Sequence, residues 1–325
     1  MKKIVISFCV LVSLALLLFA CSESKQKTYI FRLGHVANED HTWHQAFEYF
    51  GEILKERSDG QILLEVFPSE QLGKEVELIR SIRAGIADMT ITGGTLQNWS
   101  GVAAFSDMPF LLRDSTHLKT LVNSNIGKGI EQTILNETGL RVVANIQRGP
   151  RHLTSNRPIK TPDDLKGIII RVPNVPSYVT AWSALGAKPT PMAFSEVFTS
   201  LQQGAIEGQE NPLAMIRSAN FSEVQDYLNL TSHVVSWGFL VVGEQQFQSL
   251  PENLQSIFLQ AAKDTQAYEH KLFLKKELLL KTELKNKGMN FIEVDNKSFQ
   301  EIGSSAVYES LDPDMKKIYE EISNL

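Results

Sequence analysis

The chain has 325 residues, 43% of them hydrophobic, and its 37 acidic against 32 basic residues give a formal net charge of -5. That length suits two lobes of ordinary domain size, with enough apolar content for real cores. The acidic balance excludes a general nucleic-acid binder, which needs a basic footprint.

Lys2 and Lys3 precede an apolar run, Ile4 to Ala20, that stops at Cys21. A basic start, a short apolar core and a small residue before the break describe a secretory signal, not a spanning helix. Residues 1–20 are therefore expected to be removed. Leu18-Phe19-Ala20-Cys21 reads as a lipoprotein box, with Cys21 lipidated and 21–27 a tether holding the protein to the outer face of the membrane. An ordinary signal with an incidental cysteine is the plainer alternative. Cys9, the only other cysteine, falls inside the signal, so the mature chain is expected to have no disulfide and no cysteine metal site.

Beyond the tether, Tyr29 to Leu33 predicts a strand. Trp43, Phe47, Phe50 and Leu54 predict a helix ending at Ser58-Asp59-Gly60, and Ile62 to Phe67 a second strand. Val76, Ile79 and Ile82 mark a second helix, and Met89 to Thr92 a third strand. A β-α-β-α-β order implies a parallel sheet with helices on its faces. Arg141 to Ile146, Ile168 to Val172 and a helix near Val179 to Leu185 repeat the pattern, and Ser195 offers a helix N-cap. From Pro251 to about Lys287 no proline or glycine interrupts an apolar stripe; one helix there would reach roughly 50 Å. A break near Lys275-Lys276-Glu277 is the alternative.

The chemistry concentrates in one stretch. Arg171-Val172-Pro173-Asn174 follows an apolar strand, and Leu185 to Val197 leads on to Gly208-Gln209-Glu210-Asn211-Pro212. An arginine at a strand's carboxyl end lies where open α/β sheets bind ligands. Its planar fork suits a carboxylate. A structural salt bridge is the other fate for such a residue.

These motifs closely resemble the solute-binding proteins of TRAP transporters, and the likeness covers essentially the whole mature chain. It implies an α/β periplasmic-binding-protein fold of type II kind, with a ligand cleft and a long helix spanning both lobes. The boundaries are expected at 28–148 plus 237–276 for lobe I and 149–236 plus 277–325 for lobe II. The resemblance implies that Arg171 pairs with a substrate carboxylate. Arg151 is a second substrate-facing arginine, Asn211 an amide that bonds ligand and Phe194 a ring lining the pocket. The sialic-acid-binding branch is similar, but Thr92-Gly93-Gly94-Thr95-Leu96 stands where that branch carries a carboxylate.

His35, Asn38, Glu39, Asp40, His41 and His44 load the first loop with polar groups, and Glu75 begins a helix that faces the same cleft. These are candidates to read hydroxyls, with Trp99, Trp182 and Trp237 as walls for a flat ligand. His35, Glu39, His41 and His44 also invite a metal reading, but no further cluster matches and no metal or other cofactor is expected. Glu207 and Glu210 suggest paired carboxylates for acid-base chemistry, with Ser195-Glu196 or His152 as further candidates. No Gly-x-Ser-x-Gly elbow, phosphate loop or dinucleotide fingerprint accompanies them.

The expectation is a monomeric binding protein, not an enzyme. It captures a small organic acid, best a uronate or aldonate, and hands it to a TRAP membrane permease; an extracytoplasmic sensor of the same fold is the alternative.

Overall fold

The computed structural model describes residues 27–325, so the signal, Cys21 and nearly all of the tether lie outside the described residues. The chain opens with β1 (Tyr29–Gly34), α1 (Thr42–Arg57), β2 (Ile62–Phe67), α2 (Glu75–Arg83) and β3 (Met89–Thr92). Two 3-10 turns, Gly94–Asn98 and Gly101–Ser106, lead to α3 (Ser115–Asn123), α4 (Asn125–Thr138) and β4 (Leu140–Gln147). The second sheet begins with β5 (Arg151–Ser155), β6 (Ile169–Val172), α5 (Pro176–Ala184) and β7 (Lys188–Pro191). It continues through α6 (Val197–Gln202), β8 (Gly208–Pro212), α7 (Leu213–Ser218) and β9 (Tyr227–Val234). Then come β10 (Trp237–Gly243), α8 (Glu244–Gln248), α9 (Glu252–Asn286), β11 (Asn290–Ile292), α10 (Asn296–Ser310) and α11 (Pro313–Ser323).

Two sheets result, ordered β2-β1-β3-β10-β4 and β11-β9-β5-β8-β6-β7. The parallel start is as expected, but β10 runs antiparallel to both β3 and β4. It makes the sheet mixed because the chain enters it from the other lobe. Along β10 the side chains alternate: Leu240 and Val242 join one buried cluster, Phe239 and Val241 the other. The lobe I sheet thus has apolar packing on both faces.

Local chemistry explains the element ends. The His41 ring accepts the Trp43 amide at the start of α1, and Asp59 and Gly60 take left-handed backbone beyond its end. Ser195 does not cap a helix. It sits in a 3-10 turn, and α6 starts at Val197 after Glu196. The 35-residue α9 is unbroken through Lys275-Lys276-Glu277. Its Leu254, Phe258, Ala261 and Ala262 pack in the first lobe, and its Leu280 and Leu284 in the second.

Two strand connections cross between the lobes beside each other, where the Arg148 amide bonds the Ser236 carbonyl at 3.2 Å. The last helix crosses back as well. Although the tail from 277 is expected in lobe II, Met315, Ile318, Tyr319 and Ile322 of α11 pack with Leu118 and Leu121 of lobe I. His117 reaches the Ile322 carbonyl at 2.8 Å. Apolar spacing marks a helix there without revealing which lobe receives it.

Candidate ligand-binding cleft

A cavity of about 340 Å³ lies between the sheets, at the carboxyl ends of β1, β3 and β6, where open α/β sheets place their ligands. Arg171 on β6 enters it from lobe II. Its Nε and Nη2 both donate to the Met192 carbonyl, at 3.0 and 2.7 Å, fixing the plane of the guanidinium. The Phe194 ring lies 5.9 Å from its central carbon. No carboxylate among the described residues forms an ion pair with it, although Arg171 is only 4% exposed. Burial pulls its pKa down to about 10, against the pull of Glu210. A cation held in low dielectric without a tight counter-ion is costly, and here the arginine lines the cavity wall.

Arg151 is different. Its Nε and Nη2 fork onto Glu210 at 2.5 and 2.8 Å, and Nη2 also reaches the Asn211 side-chain oxygen at 3.1 Å. His233 Nε2 lies 3.0 Å from the same carboxylate, and its Nδ1 is 2.8 Å from Thr231 Oγ1. The ring therefore donates to Glu210 and accepts from the threonine. Burial alone would raise the Glu210 pKa, but Arg151 and His233 overrule it and hold the carboxyl near about 2. Asn211 also donates to Gln209 Oε1 at 2.6 Å. Arg151 and Asn211 line the cavity, but within a network that already matches the arginine's charge.

Lobe I supplies Glu75, whose Oε1 accepts from Thr92 Oγ1 at 2.7 Å. It also supplies three residues that the sequence motifs did not single out: Arg148, Asp107 and Trp43. Asp107 accepts the Gly94 amide at 3.0 Å, so a carboxylate does stand beside the Gly93-Gly94 loop, delivered from thirteen residues further on. Burial raises its pKa to about 6, against Arg148 and the Gly94 amide. The one sequence signal for Arg148 is that it stands three residues before Arg151. Asp107 and Trp43 carry no local signal, because long-range packing brings them here.

Three expected residues lie outside the cavity wall. His35 is buried, with Nε2 3.2 Å from His44 Nδ1, and burial lowers its pKa to about 3. Asn38 donates to the Ser218 carbonyl at 2.7 Å, tying the first loop to α7 across the hinge. Trp237 packs edge-on against Phe239 in the lobe I core. Of the candidate acid-base pair, Glu210 is consumed by Arg151, and Glu207 Oε2 accepts the Ile169 amide at 2.9 Å. Their carboxylates serve the fold.

The lobes are drawn together across the cleft. Lys74 Nζ meets Glu196 Oε1 at 2.7 Å. Asn98 donates to the Asn174 carbonyl at 2.9 Å, and the Ser177 amide to Gln97 Oε1 at 3.1 Å.

Residues 33–322 match the family described as bacterial extracellular solute-binding protein, family 7. A solute-binding protein of Roseobacter denitrificans is 48% identical over 303 residues, covering 93% of each chain. Its crystal structure, a TRAP periplasmic solute-binding protein with bound L-galactonate, superposes with a TM-score of 0.90 over 92% of this chain and 99% of that one. The chain belongs to the TRAP solute-binding proteins. The 2,3-diketo-L-gulonate-binding periplasmic protein of Escherichia coli is 33% identical over 87% of each chain. A Haemophilus influenzae relative solved with bound L-gulonate has a TM-score of 0.86 at 30% identity, covering 91% of this chain and 99% of that one. The family is extracytoplasmic, and no helix among the described residues is long and apolar enough to cross a membrane.

Proposed function

We propose that this protein captures a sugar acid, an aldonate or uronate, outside the cytoplasmic membrane and delivers it to a TRAP membrane permease without chemical change. The observation that carries the reading is Arg171: a buried guanidinium on the cavity wall, oriented by the Met192 carbonyl and, among the described residues, without a carboxylate paired to it. A ligand carboxylate completes its fork through two parallel hydrogen bonds. Phe194 covers the arginine on one face, and Tyr178 and Trp43 supply apolar wall on which the carbon chain rests.

Binding couples to closure. An anion entering from water meets four arginines on the cavity wall, Arg80, Arg148, Arg151 and Arg171, and approach of the lobes excludes solvent and strengthens the ion pair. The bonds across the cleft then hold the surface that the permease reads. The related proteins solved with L-galactonate and L-gulonate support a polyhydroxylated acid as the cargo. The protein acts as a monomer tethered through lipid on Cys21, the residue at which the amino-terminal apolar run ends.

Isothermal titration against a panel of aldonates, uronates and small hydroxy acids is expected to give one ligand per chain. The best ligand should bind with micromolar or tighter affinity, about -8 kcal/mol, and be recovered unaltered by mass spectrometry. A panel without a binder overturns the cargo, and a converted product makes the protein an enzyme.

A further inference from the structure

The lobe I wall holds a second guanidinium whose N–H groups are unspent. Arg148 lines the cavity, and its Nε is buried with no hydrogen-bond partner. The nearest carboxylate oxygen, Asp107 Oδ2, lies 3.9 Å away, outside hydrogen-bonding range. The guanidinium stacks 5.1 Å from the Trp43 ring. Glycines make its place: a Cβ on Gly238 would come within 2.9 Å of Nε, and one on Gly93 within 3.1 Å of Nη1. Burial lowers the pKa of Arg148, with Asp107 and Glu75 opposing.

Arg148 and Arg171 stand on opposite walls with different surroundings. The contacts of Arg171 are the Met192 carbonyl and Phe194, both in lobe II, with no acid paired to it. Those of Arg148 are Trp43, Asp107 and the Gly93 and Gly238 backbones, all in lobe I, and Glu75 shares that wall. A site that offers a donor beside acceptors matches a hydroxyl, which both accepts and donates. The same site rejects a carboxylate, which brings a third negative charge to Asp107 and Glu75 and has nothing to donate.

We infer that Arg148, with Asp107 and Glu75, forms a hydroxyl-reading subsite that selects sugar acids with a free polyol end over those carrying a second carboxylate. This rests on the sugar-acid reading above and deepens it. Arg171 grips the acid end, and the Arg148 subsite measures what lies at the other.

The test is titration of the full chain against glycerate, erythronate, L-galactonate and the dicarboxylate galactarate. For wild type, affinity is expected to rise along the three monocarboxylates and to fall for galactarate. Arg148→Met keeps the bulk and removes the donors. It should weaken L-galactonate at least about tenfold, as expected for a lost hydrogen bond from a charged group, while glycerate changes less than about threefold. Equal loss for every acid would mean a merely structural role and overturn the inference.

Asp107→Asn changes no volume and keeps the test alive if Arg148→Met fails to fold. It should narrow the preference for L-galactonate over galactarate at least about fivefold, by removing a like charge; an unchanged ratio overturns the subsite. Wild type binding none of the acids fails the cargo reading itself. Wild type binding L-galactonate and galactarate equally fails the subsite alone.

Discussion

Arg171 and Arg151, both expected to face the substrate, have opposite energetics. Arg171 is a buried cation without a counter-ion among the described residues, and Arg151 is half of a buried ion pair with Glu210. Breaking a desolvated arginine–carboxylate contact costs on the order of 2–5 kcal/mol. Arg171→Ala is therefore expected to weaken the best ligand at least about thirtyfold, with the melting temperature of the unliganded protein unchanged or raised. Arg171→Lys should fail to restore affinity, since a lysine has no fork. Arg151→Ala should act the other way, stranding Glu210 in the interior and destabilising the fold by about 3–5 kcal/mol. Calorimetric melting beside titration separates the two, and an Arg171→Ala protein that unfolds while still binding would reverse the assignment. The family resemblance made both arginines visible, but only the fold shows that Glu210 is positioned to take one and not the other. Likewise Asn38 and His35 are polar residues in a loop at the cleft's edge, and their side chains turn to the hinge and to His44.

The long helix α9 was legible because nothing in residues 252–286 breaks it, and its apolar stripe is continuous. What the stripe does not announce is that Glu269 belongs to the buried face. Its Oε1 accepts from Thr42 Oγ1 at 2.9 Å, and burial raises its pKa to about 8. The folded protein thus keeps a proton that the unfolded chain loses near its ordinary 4.5. Between those values each rise in pH removes stability, by up to about 1.4 kcal/mol per unit. The buried His35, His41 and His152 work in the other direction. Their pKa values of about 3 against 6.5 add stability as pH rises between those values, and the gain fades over about one further pH unit as the unfolded histidines lose their last protons. Asp107, raised to about 6, is likewise ionised by pH 7. Among these groups Glu269 alone acts above about pH 7.5, where the unfolded histidines have shed their protons, so melting temperature should fall from about pH 7.5 to 8.5. Glu269→Gln should flatten the fall and melt higher than wild type at pH 8. Parallel curves for the two proteins would show that Glu269 ionises freely in the fold.

The two-lobed architecture follows from the order of strands and helices, whereas the assignment of particular segments does not. The antiparallel β10 and the return of α11 to lobe I are decided by packing partners far away in sequence, and local periodicity is blind to them. The same holds for closure, which depends on pairs such as Lys74 and Glu196, 122 residues apart. Both side chains are well exposed, and exposed pairs contribute little to folding. Their place across the cleft gives them a different use, because they meet only when the lobes approach. Lys74→Glu sets two carboxylates against each other in the closed state alone. Ligand affinity should fall several-fold at low ionic strength and recover as salt screens the repulsion, while unliganded melting stays the same. Adding Glu196→Lys restores an opposite-charge pair with reversed polarity and should return the affinity to near wild type. If the double variant binds no better than Lys74→Glu alone, the pair is no closing contact, and the hold on the lobes passes to Asn98–Asn174 and Gln97–Ser177.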